Sequence, residues 1–451
     1  MAERATSIAV FNRNLRTMDN PVLAAAAESE QVVPVFVQDR DLVGSGFSNR
    51  RRQHFLNAGL TDLDASLRQL GAELIFRRGD PVAEIIKLAS TLDAQDVHIA
   101  ADVSRYAQRR EDRLRTELSR QRRRLIVHDA VTTVHPAGAI TPQGSDHFSV
   151  FTPYYRRWSG MPVRPVLPRP NRLLLPEGIK SGSIPAGQVV AGWEGGESAA
   201  RQLANDWFAD GLEAYEDRHD DLAGDGTSHL SPYLHFGFLS PVELATKAGE
   251  RSGPGAAAFV RQLAWRDFHH QVLAARPAAA WRDYRSHQDQ WLDDEKHWDA
   301  WRNGLTGYPL VDAGMRQLNE VGWMHNRARM IVASFLTKTL YLDWRRGARF
   351  FLEELLDGDI ANNNLNWQWV AGTGTDTRPN RVLNPLRQAR FDPEALYVRR
   401  WVPELAGIEN PADAHQPWRL DAAQRRGLHY PAPLVDLAEA RDNFLRRRER
   451  P

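Results

Sequence analysis

Along the first 130 residues, short apolar runs rich in β-branched side chains alternate with longer stretches of helical period, a pattern that predicts a parallel sheet covered by helices. Residues 8–11, 32–37, 73–77, 97–101 and 125–128 read as strands, and 50–70, 81–92 and 105–122 as the helices between them. The second of these helices has Pro81 in its first turn, where no amide donor is needed, and Asp80 stands where a cap accepts the free amides. Between 161 and 185 the prolines Pro162, Pro165, Pro168, Pro170 and Pro176 break every period and predict a linker. After about residue 197 the β pattern fades, and amphipathic stretches follow one another to about residue 356. The C-terminal half therefore reads as helical, with a short charged helix from Ala438 onward. No internal repeat, G-x-G-x-x-G loop or P-loop interrupts this pattern.

Composition narrows the chemistry. A chain of 451 residues with 42% hydrophobic content can bury large cores and is long enough for two or three domains. It has no apolar run of about twenty residues and no basic-then-apolar start, so the expectation is a cytoplasmic protein without membrane contact. Zero cysteines exclude disulfides and thiolate catalysis and remove the usual soft metal ligands, so no metal site is expected. Redox chemistry would need a bound organic cofactor. The net charge of +1 conceals 58 basic and 57 acidic residues, and only a local patch can speak for a nucleic-acid partner. Most of the 14 tryptophans follow residue 260, where helix packing alone would also use them.

Four segments concentrate polar chemistry. The densest is Asp357-Gly358-Asp359-Ile360-Ala361-Asn362-Asn363-Asn364-Leu365-Asn366-Trp367-Gln368-Trp369. Carboxylates accept from ring or ribose donors and an amide can both donate and accept at a ring nitrogen, so this mixture suits a pocket for a heteroaromatic ring. Asn and Asp also form plain turns. Upstream, Gly226-Thr227-Ser228-His229-Leu230-Ser231-Pro232-Tyr233 offers hydroxyls and amides before a helix, as a phosphate site or as simple caps. Gln262, Trp265, Arg266 and His269 fall at i, i+3, i+4 and i+7, one helix face bearing groups that stack on bases and grip phosphates. In Trp323-Met324-His325-Asn326-Arg327-Ala328-Arg329-Met330, Asn326 and Met330 lie one turn apart, and the two arginines suit a DNA phosphate and an interior acid such as Asp357. A solvated basic face is the alternative there.

Taken in order, these segments resemble the photolyase and cryptochrome family, most of all its cyclobutane pyrimidine dimer photolyases. The resemblance covers nearly the whole chain. It begins with Phe11-Asn12-Arg13-Asn14-Leu15-Arg16-Thr17-Met18-Asp19-Asn20-Pro21 and runs through the four segments and Thr306-Gly307-Tyr308-Pro309 to Tyr397-Val398-Arg399-Arg400-Trp401-Val402-Pro403-Glu404-Leu405. It implies an α/β N-terminal antenna domain with a Rossmann-like doubly wound parallel sheet (1–130), a long linker (131–196) and an all-helical FAD-binding catalytic domain (197–451). It also implies a monomer that acts on UV-damaged DNA, in which excited reduced FAD gives one electron to a flipped-out dimer.

Residue by residue, the resemblance assigns FAD to Tyr215, Thr227, Ser228, His229, Leu230, Ser231, Arg329, Asp357, Gly358, Asp359 and Asn363. Arg329 pairs with Asp357, and Asn363 faces flavin N5, where plant cryptochromes have Asp and animal ones Cys. Trp265 and Trp369 are implied to stack on the lesion, with Gln262, Arg266, His269, Asn326, Arg327 and Met330 beside them. Trp367, Trp344 and Trp291 match the indole chain that reduces the flavin in light. Gln262 replaces the Glu of the best-known dimer enzymes and is shared with relatives that repair (6-4) photoproducts. Leu365 and Asn366 replace two small residues, and His219 stands where an arginine often meets DNA, with Arg218 beside it. Residues 47–52 and 102–106 resemble a deazaflavin site, with folate or an empty pocket as the other outcomes. A cryptochrome-type photoreceptor and a (6-4) photolyase remain the alternative functions.

Overall fold

The computed structural model describes residues 5–44 and 48–448. Packing divides the chain into two compact units, one of Met1–Glu213 and Ser228–Pro277, the other of Ala214–Thr227 and Ala278–Pro451. The division follows contact rather than chain order.

The first unit holds a five-stranded, wholly parallel sheet of order β3-β2-β1-β4-β5. Its strands are β1 (Thr6–Phe11), β2 (Gln31–Asp39), β3 (Ile75–Gly79), β4 (Asp96–Ala100) and β5 (Arg124–His128). Each lies within two residues of its expected place, because a parallel strand covered on both faces must be apolar almost throughout. β1 is buried along its whole length. Helices Arg50–Gln69, Pro81–Thr91 and Arg105–Arg120 connect the strands. Asp80 caps the second as expected, accepting from Ala83 N at 2.9 Å. The order reverses between β1 and β4, and just beyond the carboxyl ends of these strands Arg13 meets Asp102 at 3.2 Å. In such sheets this switch point is where ligands bind.

The proline-rich stretch 161–185 contains no helix or strand, yet it is tied down. Arg164 forms a two-pronged pair with Asp19 at 2.6 and 2.9 Å, and Leu173 N donates to Leu70 O at 2.7 Å. Helix Pro254–Ala275 holds the preceding segment through Asp267, whose buried carboxylate accepts from Val134 N and His135 N at 3.0 Å and from Trp158 Nε1 at 2.9 Å. Burial pushes that carboxyl up to about 6 against the pull of these donors. Asp267→Ala would orphan three buried donors, and a loss of about 3 kcal/mol is expected in denaturant melting. A loss below 1 kcal/mol, by the same scale, would mean that the segment is held elsewhere.

The second unit is helical. Helices Glu295–Arg302, Pro309–Val321, Asn326–Ser334, Trp344–Glu354 and Ile360–Ala371 surround a core that includes Trp301, Phe335, Leu336, Trp344, Phe351 and Trp367. Pro309–Val321 ends on Gly322 at φ 68°, a left-handed cap that only glycine takes without strain, and the chain turns there into Trp323 to Arg327. Gly347 has no room for a side chain, since a Cβ would lie 2.3 Å from the Trp367 ring. The backbone of Trp344–Glu354 thus rests directly on that indole. The charged tail is the helix Leu437–Arg448. Among the described residues, no helix is long and apolar enough to cross a membrane.

Candidate functional site

In the second unit, the segment from Asp357 to Trp369 is a short loop followed by helix Ile360–Ala371. Asp359 caps the helix, accepting from Asn362 N and Nδ2, both at 2.8 Å. Asp357, 4% exposed at its side chain, is gripped by Arg329 at 3.1 and 2.8 Å, while Arg329 Nε donates to Met324 O at 2.8 Å. The expected pair is therefore formed, and its charges cancel.

Tertiary contacts sort the five amides of this segment. Asn364 donates to Ala280 O, and Gln368 donates to Ala279 O at 2.6 Å and accepts from Tyr284 N at 2.7 Å. These two anchor a neighbouring chain segment. Asn366 is exposed and turns back onto Asn362 O at 2.8 Å, while Leu365 is buried. Asn363 differs. Its Nδ2 donates to Ala348 O and to Asn364 Oδ1, both at 2.9 Å, which leaves the carbonyl oxygen as the group to accept from a ligand. Thr227 Oγ1 is buried with no hydrogen-bond partner among the described residues. An acceptor amide, a neutralised acid and an unsatisfied hydroxyl fit a flavin and its ribityl-phosphate tail.

The three tryptophans likened to the indole chain belong to this unit. Trp367 and Trp344 are buried and Trp291 is half-buried. Trp367 meets Phe351 and Trp301 edge-on at 4.9 and 6.0 Å, and Trp344 Nε1 donates to Asp283 Oδ1 at 2.9 Å. Asn326 is exposed, with Met330 Sδ 4.0 Å from its Nδ2. Trp369 is half-buried, and the Arg381 guanidinium lies over it at 4.9 Å. Arg327, expected to meet DNA, is bound to Asp220 through both Nε and Nη2 and lies 4.3 Å over Phe391. Sequence reasoning missed Asp220, which stands 107 positions away with no local pattern to mark it.

In the first unit, the mixed face of helix Pro254–Ala275 grades inward. Gln262 is exposed, Trp265 and Arg266 are half-buried, and His269 is buried. Arg266 donates to Thr132 O, so this guanidinium serves the fold. Trp265 is stacked on Phe151 at 3.6 Å between centroids and 7° between planes. Phe151 opens helix Phe151–Trp158 inside the expected linker, and the sequence signal for it is only the aromatic run Phe151, Tyr154, Tyr155, Trp158. Upstream, His229 is left-handed at φ 53° with its ring 5.8 Å from Trp193, and Ser231 opens helix Ser231–Phe236. Of the two stretches likened to a deazaflavin site, Phe47 lies outside the described residues. Asp102 and Tyr106 are described, Tyr106 donating to Asp39 at the end of β2.

Comparison with known proteins bears on this geometry. A family model described as DNA photolyase matches residues 7–171, and one described as FAD binding domain of DNA photolyase matches 259–450. The chain is 54% identical to a deoxyribodipyrimidine photo-lyase of Streptomyces griseus, over 98% of this chain and 99% of that one. It superposes with a TM-score of 0.91 on a bacterial class III photolyase from Agrobacterium tumefaciens, at 31% identity and with coverage of 99% and 98%. A cryptochrome of Synechocystis superposes with a TM-score of 0.90 at 28% identity, covering 98% of each chain.

Proposed function

The chain belongs to the DNA photolyase family, and from that premise we propose that it repairs cyclobutane pyrimidine dimers in DNA by light-driven electron transfer. When bound in its reduced form, FAD would supply the light-driven one-electron chemistry that dimer opening needs. The protein's part is to bind, orient and exclude. The observation that carries the reading is the orientation of Asn363. With its NH₂ held by Ala348 and Asn364, it presents an oxygen, and an acceptor suits the N5–H that a fully reduced flavin carries. Asp357, neutralised by Arg329, and Asp359 supply the polar wall, and Tyr215 and the residues from Thr227 to Ser231 the ribityl-phosphate side.

Lesion binding is assigned to stacking by Trp265 and Trp369, with Gln262, Asn326, Arg327 and Met330 beside them. Phe151 braces Trp265 from one side, so the ring is held flat before a base arrives. Trp265→Ala is expected to weaken binding of a dimer-containing oligonucleotide by about 1 to 3 kcal/mol while FAD is retained, as read by fluorescence anisotropy and the visible spectrum. A flavin-free product would place the residue at the cofactor instead.

The deciding experiment exposes a dimer-containing oligonucleotide to the purified protein in the dark and in blue light. Loss of the dimer in light only, with a flavin spectrum, is expected. Repair without light, or a protein unable to hold flavin, would overturn the proposal. Gln262 favours a second reading, a (6-4) photolyase, because its neutral amide replaces the family's dimer-contacting acid. A defined (6-4) lesion in a parallel arm separates the two, and light-driven activity on neither would leave the photoreceptor. We keep 1–130, 131–196 and 197–451 as the antenna, linker and catalytic regions. We also take the protein to act as a cytoplasmic monomer, with sedimentation of the loaded chain as the check.

A further inference from the structure

The middle member of the proposed indole chain is surrounded by charge. Trp344 is fully buried and is the first residue of helix Trp344–Glu354, so it sits at the helix end where unpaired amides give a partial positive charge. That position opposes oxidation of the ring to a cation. Two carboxylates act against it, for Trp344 Nε1 donates to Asp283 Oδ1 at 2.9 Å and Asp343 caps the helix by accepting from Arg345 N at 2.9 Å. Arg345 joins both acids. It gives Nη2 to Asp283 Oδ1 at 2.7 Å and Nη1 to Asp343 Oδ1 at 3.0 Å, and its guanidinium lies 4.9 Å over the Trp344 ring. Two carboxylates against one guanidinium leave a single net negative charge beside this indole. Among the described residues, Trp344 alone of the three chain indoles gives its Nε1 to a carboxylate. The segment that carries Asp283 has other anchors, since Arg345 Nε donates to Trp281 O at 2.8 Å and Tyr284 N to Gln368 Oε1 at 2.7 Å. Anchoring alone does not call for an acid on the indole.

We propose that Asp283 is a positioning residue for electron transfer, whose carboxylate makes Trp344 easier to oxidise than Trp367, so that positive charge moves outward along the chain before it can recombine. The proposal rests on reading Trp367, Trp344 and Trp291 as the photoreduction chain, with the photoexcited oxidised flavin as oxidant. Trp367, oxidised by that flavin, takes one electron from Trp344. Trp367 thereby returns to a neutral indole and Trp344 becomes the radical cation, which next takes one electron from Trp291. No bond to hydrogen breaks in either step, and the single positive charge is conserved.

The surroundings suit a charge that passes through. Solvent screens the acid from the ring only weakly, because Trp344 is fully buried and the Asp283 side chain is 14% exposed. Trp367, by contrast, meets Phe351 and Trp301, which bring no charge. The Asp283 oxygen that accepts from Trp344 Nε1 also accepts from Arg345, and an oxygen already shared with a guanidinium is a poor base. Nε1 therefore keeps its proton, and the radical stays a cation able to take an electron from Trp291. Arg345 acts on the ring in the opposite sense, since a cation over the indole disfavours a second positive charge there. The two halves of one ion pair thus push Trp344 in opposite directions.

The test uses the full chain loaded with oxidised FAD, excited by a flash and followed by transient absorption, which distinguishes an indole radical cation from a neutral indole radical. Asp283→Asn keeps an acceptor for Nε1 without the charge, and should shift the radical back toward Trp367 by at least about tenfold, or about 59 mV for a one-electron couple. The yield of long-lived separated charge falls with it. Arg345→Gln breaks the same ion pair from its other side, and should leave that yield undiminished. Equal falls in the two variants would show that only the packing of the pair matters, and an undiminished yield in Asp283→Asn would equally overturn the proposal. In Trp291→Phe the charge stops at Trp344, and the radical there is expected to be a cation that forms at the same rate in D₂O as in H₂O. If Asp283→Asn does not fold, a lower yield in Arg345→Gln or a neutral radical in Trp291→Phe overturns the proposal instead. Repair by chemically reduced protein should be unchanged in both ion-pair variants, which separates electron transfer from loss of fold. Trp344→Phe tests the underlying chain, for undiminished photoreduction there removes the indole reading itself. Slowed photoreduction in Trp344→Phe, combined with a natural yield in Asp283→Asn, sinks the Asp283 proposal only.

Discussion

Asp357→Ala is expected to yield a colourless protein, destabilised by about 3 to 5 kcal/mol, the cost of leaving one member of a buried ion pair without its partner. Arg329 now gives Nη1 and Nη2 to Asp357 at 3.1 and 2.8 Å, and its remaining Nε bond to Met324 O cannot neutralise it. Thermal melting measures the first effect and the visible spectrum the second. The double variant Arg329→Met with Asp357→Leu separates them. It removes both charges, so stability should return to near that of the natural chain, because two apolar side chains avoid the desolvation that the pair must repay. FAD should still be lost. A double variant that binds FAD normally would show that the pair serves folding alone.

Trp367→Phe should slow light-driven reduction of bound FAD by about two orders of magnitude, equivalent to roughly 2.7 kcal/mol in effective barrier. Among ordinary side chains the indole is the most readily oxidised, and phenylalanine preserves the packing without the redox chemistry. The site tolerates the smaller ring, since Trp367 is bounded by Phe351, Trp301 and the bare backbone at Gly347, all of which remain. Comparing photoreduction with repair by chemically reduced protein isolates the effect. A fall in their ratio is expected. An unchanged ratio would remove Trp367 from the chain.

The outcome for individual residues shows where sequence reasoning reaches. The strands and the Asp80 cap were legible because their causes are local: continuous burial on two faces of a parallel sheet, and an acid next to free helix amides. The residues proposed for the flavin side were legible as a cluster, since Asp357, Asp359 and Asn363 fall within seven consecutive positions. Their division of labour was not. Asn363 and Asn364 are chemically identical neighbours, and only the positions of Ala348 and Ala280 make one an oriented acceptor and the other an anchor.

Arg327 and Arg266 follow the same rule. Both read as DNA contacts, and both are bound within their own unit, to Asp220 and to the Thr132 carbonyl. A guanidinium whose partner lies more than a hundred positions away looks free until the fold brings that partner to it. The grouping of residues 214–227 with 278–451 was hidden for the same reason, because periodicity records what each segment buries and not which segment it buries against.

By itself, then, the amino-acid order determined the elements, the α/β and helical regions and the cofactor chemistry, since each depends on neighbours within a few positions or on motifs carried whole. Tertiary structure alone decided which of two neighbouring amides keeps its carbonyl oxygen as an acceptor and which is an anchor, and that Phe151 lies against Trp265. Such pairings depend on distances between segments far apart in the chain, which only the packed fold sets.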